Sequence, residues 1–488
     1  MIDRGQEAVF RNIMPGDGYH DLERDIWGPF VWTSKRFTIK LTQSHAALAV
    51  RMCYYGDGER LTIRGIADGA REMILHRGWN TYPIDLRGIE GAELELEVER
   101  CVPVAGDLRE LGVMIRWIRP IEGGQSSEQL GRVLHNKIHN DREFATGRIL
   151  LDSFPTKLRI NTATKCTMQP YCAYCDWERT KSDERKSDFK FDLTKLVELG
   201  DFYSLTEEIV DNSYGEPLLN PQFGDFVEEL DRSVKSFEVG SNGLLLNRSN
   251  RKKLLGKESL LYVSADASTA EGFNRYRKAD FHKLISNLRN LCSERKDHYE
   301  LPKVIMSYVA MRSNVDDLGP FMDLIKDVGC DGIKVIYLDP DPYLQQRIVD
   351  RDGFLFDYNR ELLSWPELEE LGPRAKELAR EKGTAVITRM DFGAEEAAGD
   401  GPICSDPWKN IHVLDRGIVA CLFSKNNPVA LWSERGGRTI QQFLMDVWNG
   451  ERYQEIRTEL SRGRFPDLCK KSLGCPLVRK RFDSARET

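Results

Sequence analysis

The sequence predicts an α/β protein: a partial (β/α)6 barrel, preceded by a β-sandwich and followed by a smaller cysteine-bearing domain. Three observations predict it. Strand and helix patterns alternate from Pro155 to about Arg389. Short strands of two-residue periodicity come before them. Seven of the eleven cysteines fall into two groups, one just after the first barrel strand and one near the C-terminus. A chain of 488 residues is too long for one ordinary core, and its length fits about three domains.

Residues 1–122 are the sandwich. Phe37–Leu41, Ala49–Cys53, Leu61–Arg64, Leu94–Val98 and Val113–Ile118 mostly alternate apolar and polar residues, as half-buried antiparallel strands do. Gly56-Asp-Gly58 and Arg77-Gly-Trp-Asn80 read as turns between them. Residues 123–154 form a polar, partly helical connector. Over 155–395, Leu158–Asn161, Glu208–Asn212, Phe237–Gly240, Leu260–Ala265, Val304–Val309 and Gly332–Tyr337 read as six strands. Helical segments such as Phe281–Leu288 and Leu318–Lys326 separate them, which builds a parallel sheet with its chemistry at the C-terminal strand ends. Residues 396–488 form the last domain.

The first strand leads into Cys166-Thr-Met-Gln-Pro-Tyr-Cys172-Ala-Tyr-Cys175. Three thiolates in one loop can hold three irons of a 4Fe–4S cube and leave the fourth iron open; a zinc knot that borrows one more cysteine is the alternative. The run resembles the cluster loop of the radical S-adenosylmethionine (SAM) enzymes, with Tyr174 as the aromatic residue before the last cysteine. The commonest loop of that family is C-x3-C-x2-C, and this chain has two more residues between Cys166 and Cys172. Further segments match in order. Tyr214-Gly215-Glu216-Pro217, after the second strand, resembles the family's Gly-Gly-Glu-Pro segment, which holds the SAM amino group. Asn242, in Gly240-Ser-Asn-Gly243, follows the third strand. Ser264 and Asp266 end the fourth, where a ribose or carboxylate contact is expected. Tyr276-Arg277 resembles a Tyr-x-x-x-Arg region. Arg312 and Asn314 end the fifth strand, where SAM contacts are often placed.

The C-terminal group is Cys404-Ser-Asp-Pro-Trp408, Cys421, Cys469 and Cys475, which resembles the SPASM/twitch extension of the same family. Four cysteines make a complete ligand set for one auxiliary 4Fe–4S cluster, and equally for a structural zinc. The resemblance implies reductive cleavage of SAM to a 5′-deoxyadenosyl radical, hydrogen abstraction from a substrate C–H bond, and an electron donor such as flavodoxin or ferredoxin. The other cysteines carry less: Cys53 and Cys101 on sandwich strands, Cys292 on a helix and Cys330 before the sixth strand read as core filler.

Composition bounds the rest. A net charge of −7 gives no electrostatic reason to expect nucleic acid as partner. No apolar run reaches the ~20 residues of a membrane span, and the N-terminus has no apolar signal core. These features place the chain in the cytoplasm, where cysteines favour metal ligation over disulfides. The small-molecule substrate is expected to be a sugar, nucleotide sugar or glycan intermediate, oxidised or epimerised, with Trp27, Trp32 or Trp79 of the sandwich available to stack on a sugar face or to fill its core. A peptide maturase is the alternative, and a non-catalytic zinc-binding interaction protein the third reading. The insertion from Asp339 to Tyr358, with Tyr343 and Arg347, is expected to touch substrate.

Overall fold

The structure, a computed structural model, describes residues 9–483 apart from 12–13, 16, 26–27, 42–44, 67–68, 88–92, 102, 104–106, 108, 110, 122–125, 176–191, 342, 392–400 and 425–426. Trp27 lies outside the described residues. The chain divides into two compact units. One is Met1–Ile138 with Glu229–Val234 and Glu294–Leu301; the other is His139–Glu228, Lys235–Ser293 and Pro302–Thr488.

The first unit holds two five-stranded antiparallel sheets. One runs Met14–Pro15, Arg36–Lys40, Glu93–Val98, Glu59–Ile66, Gly69–Leu75 in spatial order; the other runs Tyr19–Asp25, Gly28–Thr33, Met114–Pro120, Ala47–Tyr54, Gly78–Asp85. Phe37, Ile39, Leu94 and Leu96 of one sheet and Val50, Met52, Ile84 and Ile115 of the other share one buried core, which is the sandwich arrangement. The turn expected at Arg77–Asn80 is corrected: Gly78 already begins a strand that pairs with Ala47–Tyr54 along its whole length. Trp32 is buried beside Cys53, Leu111 and Met114, so it fills core, and half-buried Trp79 stacks under the Arg116 guanidinium 4.4 Å away. Trp32 therefore offers a sugar no ring face, and one face of Trp79 is already covered. Cys101 lies beyond the end of its expected strand.

In the second unit seven parallel strands follow one another. They are β1 (Lys157–Ile160), β2 (Glu208–Asp211), β3 (Ser236–Ser241), β4 (Ser259–Ser264), β5 (Lys303–Ala310), β6 (Gly332–Tyr337) and β7 (Ala385–Thr388). β7 is one more than the periodicity predicts, since four residues carry too little pattern to read. On the other side of β1 the sheet continues into the C-terminal domain. β8 (Asn410–Leu414) pairs with β1 in parallel, and β9 (Gly417–Val419) and β10 (Ala430–Leu431) extend it antiparallel. Main-chain hydrogen bonds therefore tie the second cysteine group to the barrel. The insertion after β6 folds as a hairpin of Ile348–Arg351 and Phe354–Asp357. Among the described residues no helix is long and apolar enough to cross a membrane.

Candidate metal and cofactor centre

The loop after β1 carries Cys166, Cys172 and Cys175 at the C-terminal end of the strands. No two of the eleven cysteines, all of them within the described residues, form a disulfide. The loop is held from several sides. Gly215 N donates to Ala163 O at 3.0 Å and Glu216 N to Lys165 O at 2.7 Å, so the segment after β2 pairs with the backbone entering the loop. A Cβ on Gly215 would lie 2.2 Å from Lys165 O and 2.6 Å from Lys165 N, which explains the glycine there. Ala173 N donates to Tyr276 O at 2.7 Å. From the hairpin side, Arg347 donates to Cys175 O at 3.1 Å and Arg351 to Tyr171 O. Arg347, expected to touch substrate, thus also bonds to the backbone of the cysteine loop, while Tyr343 stands exposed.

Two side-chain donors reach the sulfurs, and Met168 N donates to Cys166 Sγ at 3.5 Å. Asn242 Nδ2 lies 3.8 Å from Cys166 Sγ and also donates to Thr167 Oγ1 at 2.9 Å. Arg277 Nη1 lies 3.7 Å from Cys172 Sγ. Burial pushes the thiols of Cys166 and Cys172 up, and these donors pull them back towards the thiolate a metal needs. Arg277 also donates to Asp266 Oδ2 and to the Tyr174 hydroxyl, and that hydroxyl donates to Asp266. Burial alone would lower the Arg277 pKa, but Asp266, Tyr174 and Cys172 around it raise it, so its charge is secure.

The expected SAM contacts divide accordingly. Cys166, Cys172, Tyr174, Gly215, Glu216, Asn242 and Asp266 converge; Arg312 does not. Asp266 is fully buried at φ 64°, and its Oδ1 accepts from Val309 N at 2.8 Å, so both oxygens serve the protein itself. Its position turns it from a ribose contact into the partner that positions Arg277. Glu216 is likewise buried. It caps the short 3-10 turn Pro217–Leu219 through Leu218 N and accepts from Ser241 Oγ at 2.8 Å and Asn242 N at 2.8 Å. Burial pushes its carboxyl up to about 7. Arg312 is exposed and forks onto Glu367, so its charge is already met. Tyr214 is half-buried in the loop, Pro217 is buried in that turn, and Ser264 is half-buried at the end of β4. Asn314, buried, donates to Asp266 O at 3.1 Å and Val309 O at 3.0 Å and so shapes the same corner. Arg277 is the member whose role sequence reasoning missed: it stands 105 residues from the sulfur it serves.

Cys404, Cys421, Cys469 and Cys475 all line one cavity, walled by Pro407, Phe423, Phe465, Leu468 and Leu477. Burial pushes the Cys421 thiol far up and Cys469 up to about 12; Asp406 and the neighbouring cysteines add to both. Four thiols facing one apolar cavity, with Cys421 and Cys469 raised by their cysteine neighbours, fit a cation that takes their protons. The donor set, the common cavity and the N–H groups aimed at sulfur suit 4Fe–4S clusters at both places. Among the described residues, the groups with ligand atoms all within 4.8 Å of one another reduce to His139, Glu143 and Asp152. There Glu143 already accepts from Asp152 N and from Ser153, which makes it a cap within the chain.

No family model matches the sequence. A curated protein of Pyrococcus furiosus, the tungsten-containing aldehyde ferredoxin oxidoreductase cofactor-modifying protein, is 20% identical over 340 residues, covering 66% of this chain and 89% of its own. Streptococcus suis SuiB, crystallised bound to S-adenosylmethionine, shares the fold with a TM-score of 0.50 and 14% identity, over 73% of this chain and 78% of that one.

Proposed function

We propose that this chain, which has the fold of radical SAM enzymes, is an enzyme that abstracts hydrogen from an unactivated C–H bond of a substrate held in its barrel. The observation that carries the reading is the three-cysteine loop at the end of β1, with Asn242 and Arg277 directed at two of its sulfurs. Cys166, Cys172 and Cys175 would hold a 4Fe–4S cluster with SAM at its open iron, and Cys404, Cys421, Cys469 and Cys475 an auxiliary one. When bound, the first cluster and SAM supply the 5′-deoxyadenosyl radical.

The residues of the chain do the positioning. Asn242 and Arg277 lower the cost of thiolate charge at Cys166 and Cys172. Asp266 and Tyr174 lock the Arg277 fork in place, and Gly215, Arg347 and Arg351 fix the loop backbone. A single zinc ion would draw its sulfurs to ~3.8 Å from one another, given Zn–S bonds of ~2.3 Å. Neither cysteine group is gathered so tightly among the described residues, which favours the larger cube.

The substrate is read as a small molecule, with a sugar, nucleotide sugar or glycan intermediate placed first, oxidised or epimerised, and flavodoxin or ferredoxin as electron donor. The Pyrococcus relative, named for modifying a cofactor, agrees with a small molecule. The test is anaerobic purification followed by iron and sulfide analysis, then reduction with SAM and nucleotide sugars or peptides, read by mass spectrometry. Methionine and 5′-deoxyadenosine are the expected products. Zinc in place of iron, or intact SAM after reduction, overturns the reading, and deuterium transfer from a peptide instead of a sugar moves the substrate to the maturase class.

A further inference from the structure

The interior of a parallel barrel is ordinarily filled by branched apolar side chains. Here one face of the strands carries Lys157, Arg159, Glu208, Glu238, Tyr262 and Lys334, all half-exposed, while their neighbours Leu158, Ile209, Val239, Val263 and Ile333 are fully buried. The six polar residues meet although their strands are far apart in the sheet order. Lys157 Nζ lies 2.7 Å from Glu208 Oε1. Glu238 on β3 feels Lys157 and Arg159 on β1 and Lys334 on β6. The Lys334 ammonium sits 3.9 Å from the centre of the Tyr262 ring. The sheet therefore curls around a charged lumen just below the cysteine loop, since Arg159 is one residue from the end of β1.

The lumen's charges do not cancel. Lys157 and Glu208 pair, which leaves Arg159 and Lys334 facing Glu238. Among the described residues Arg159 reaches Asn410 Oδ1 alone, at a long 3.4 Å. In register with Arg159 on β8 stands His412, completely buried with neither ring nitrogen hydrogen-bonded. A buried polar group without a partner is costly, so both ring nitrogens of His412 are open to bonds from a bound molecule. Burial and the neighbouring cations bring Lys334 down to about 8 and keep His412 neutral. A negative group in the lumen relieves this crowding of cations.

We propose that the lumen selects its substrate by an oxyanion, a carboxylate or a phosphate, held between Arg159 and Lys334 beside the buried ring of His412. The inference rests on the reading that the barrel is the reaction chamber, and it adds the charge that the substrate must carry. Two residues from different strands grip an anion by charge-assisted bonds while Glu238 rejects it if misplaced.

The test is calorimetric titration of the anaerobically purified full chain with inorganic pyrophosphate and, separately, succinate. One of them is expected to bind, pyrophosphate marking a phosphate and succinate a carboxylate. The R159Q/K334M double variant, checked for folding by its melting curve, is expected to bind about tenfold more weakly or worse. Glu238→Gln removes the opposing charge and is expected to tighten binding, which decides the matter even if the double variant does not fold. Silence with both anions, an unchanged affinity in the folded double variant, or weaker binding in Glu238→Gln overturns the proposal. SAM cleavage by the unaltered chain is measured apart from these titrations, so loss of the radical SAM reading and loss of the anion site show as different results.

Discussion

The two cysteine groups sit in one unit and on one sheet, yet their surroundings are opposite. The loop of Cys166, Cys172 and Cys175 is edged by an amide, a guanidinium and half-exposed backbone, and two of its sulfurs have polar donors. The group of Cys404, Cys421, Cys469 and Cys475 lines an apolar cavity walled by phenylalanine and leucine. Burial raises the thiols of Cys166 and Cys172 in the first group and of Cys421, Cys469 and Cys475 in the second; Arg277 is hydrogen-bonded to a sulfur of the first, while Arg389 offsets the rise at Cys475 through its charge. The contrast teaches what each place is suited to. Three thiolates with directed donors and an unfilled corner suit a reacting centre, and four thiolates in a dry cavity suit a group held for electrons or for stability.

The widest gap between the regions opens when each set is removed. Changing Cys166, Cys172 and Cys175 together to alanine is expected to abolish methionine and 5′-deoxyadenosine formation and to remove about four irons per chain. Changing Cys421 and Cys469 to alanine is expected to lower the melting temperature as well as the iron content, because it enlarges the cavity that Ala420, Ile456, Leu460 and Leu468 share. Equal losses of SAM cleavage and of thermal stability from both changes would erase the distinction.

Next in size is the built-in cation. Asp266→Asn keeps a residue tolerant of positive φ but leaves the buried Arg277 without its anion, and breaking such a pair costs ~3–5 kcal/mol. Urea unfolding of the variant reads it. Restoration of much of that loss by adding Arg277→Met would show that the pair serves position rather than stability.

A third effect is a pH slope confined to the first region. The Glu216 carboxyl is raised from the usual value near 4.5 to about 7 by burial, so the folded chain keeps a proton that the unfolded chain releases. Stability is therefore highest below about 4.5 and declines as pH rises to about 7, by about 3 kcal/mol in total. Glu216→Gln is expected to flatten that decline between pH 4.5 and 7 in urea melts, at the cost of the bond from Asn242 N. A slope the same in both proteins would assign the titration elsewhere.

How much of this was written in the sequence depends on the range over which each feature acts. The six barrel strands were legible because each is an apolar run set between helices, and the seven cysteines because their spacing is local. Tyr19–Asp25 and Gly69–Leu75 were not read as strands, since Tyr-His-Asp-Leu-Glu-Arg-Asp and Gly-Ala-Arg-Glu-Met-Ile-Leu show no clean alternation. Gly78–Asp85 was hidden behind a glycine that reads as a turn. The site followed the same rule. Gly215 and Asn242 were found through neighbouring letters, but the partners of Asp266 and Arg312 were set by folding. Asp266 meets Arg277 and Tyr174, and Arg312 meets Glu367, 55 residues away. A carboxylate at a strand end looks the same in sequence whether it faces a cofactor or an arginine.

The smallest expected effect separates holding the loop from touching substrate. Arg347 comes from the hairpin inserted after β6 and donates one hydrogen bond, 3.1 Å long, to Cys175 O. Arg347→Met keeps the aliphatic stem and removes that bond, which is worth ~1.5–3 kcal/mol when the donor is charged and less where solvent reaches it. If the arginine positions the loop, the variant is expected to lose iron faster under a chelator while KM for the substrate stays near its original value. If it touches substrate, KM rises and the rate of iron loss does not change. The cavity group supplies the control: iron held by Cys404, Cys421, Cys469 and Cys475 should leave at the original rate in either case, since the loop that Arg347 bonds carries none of them.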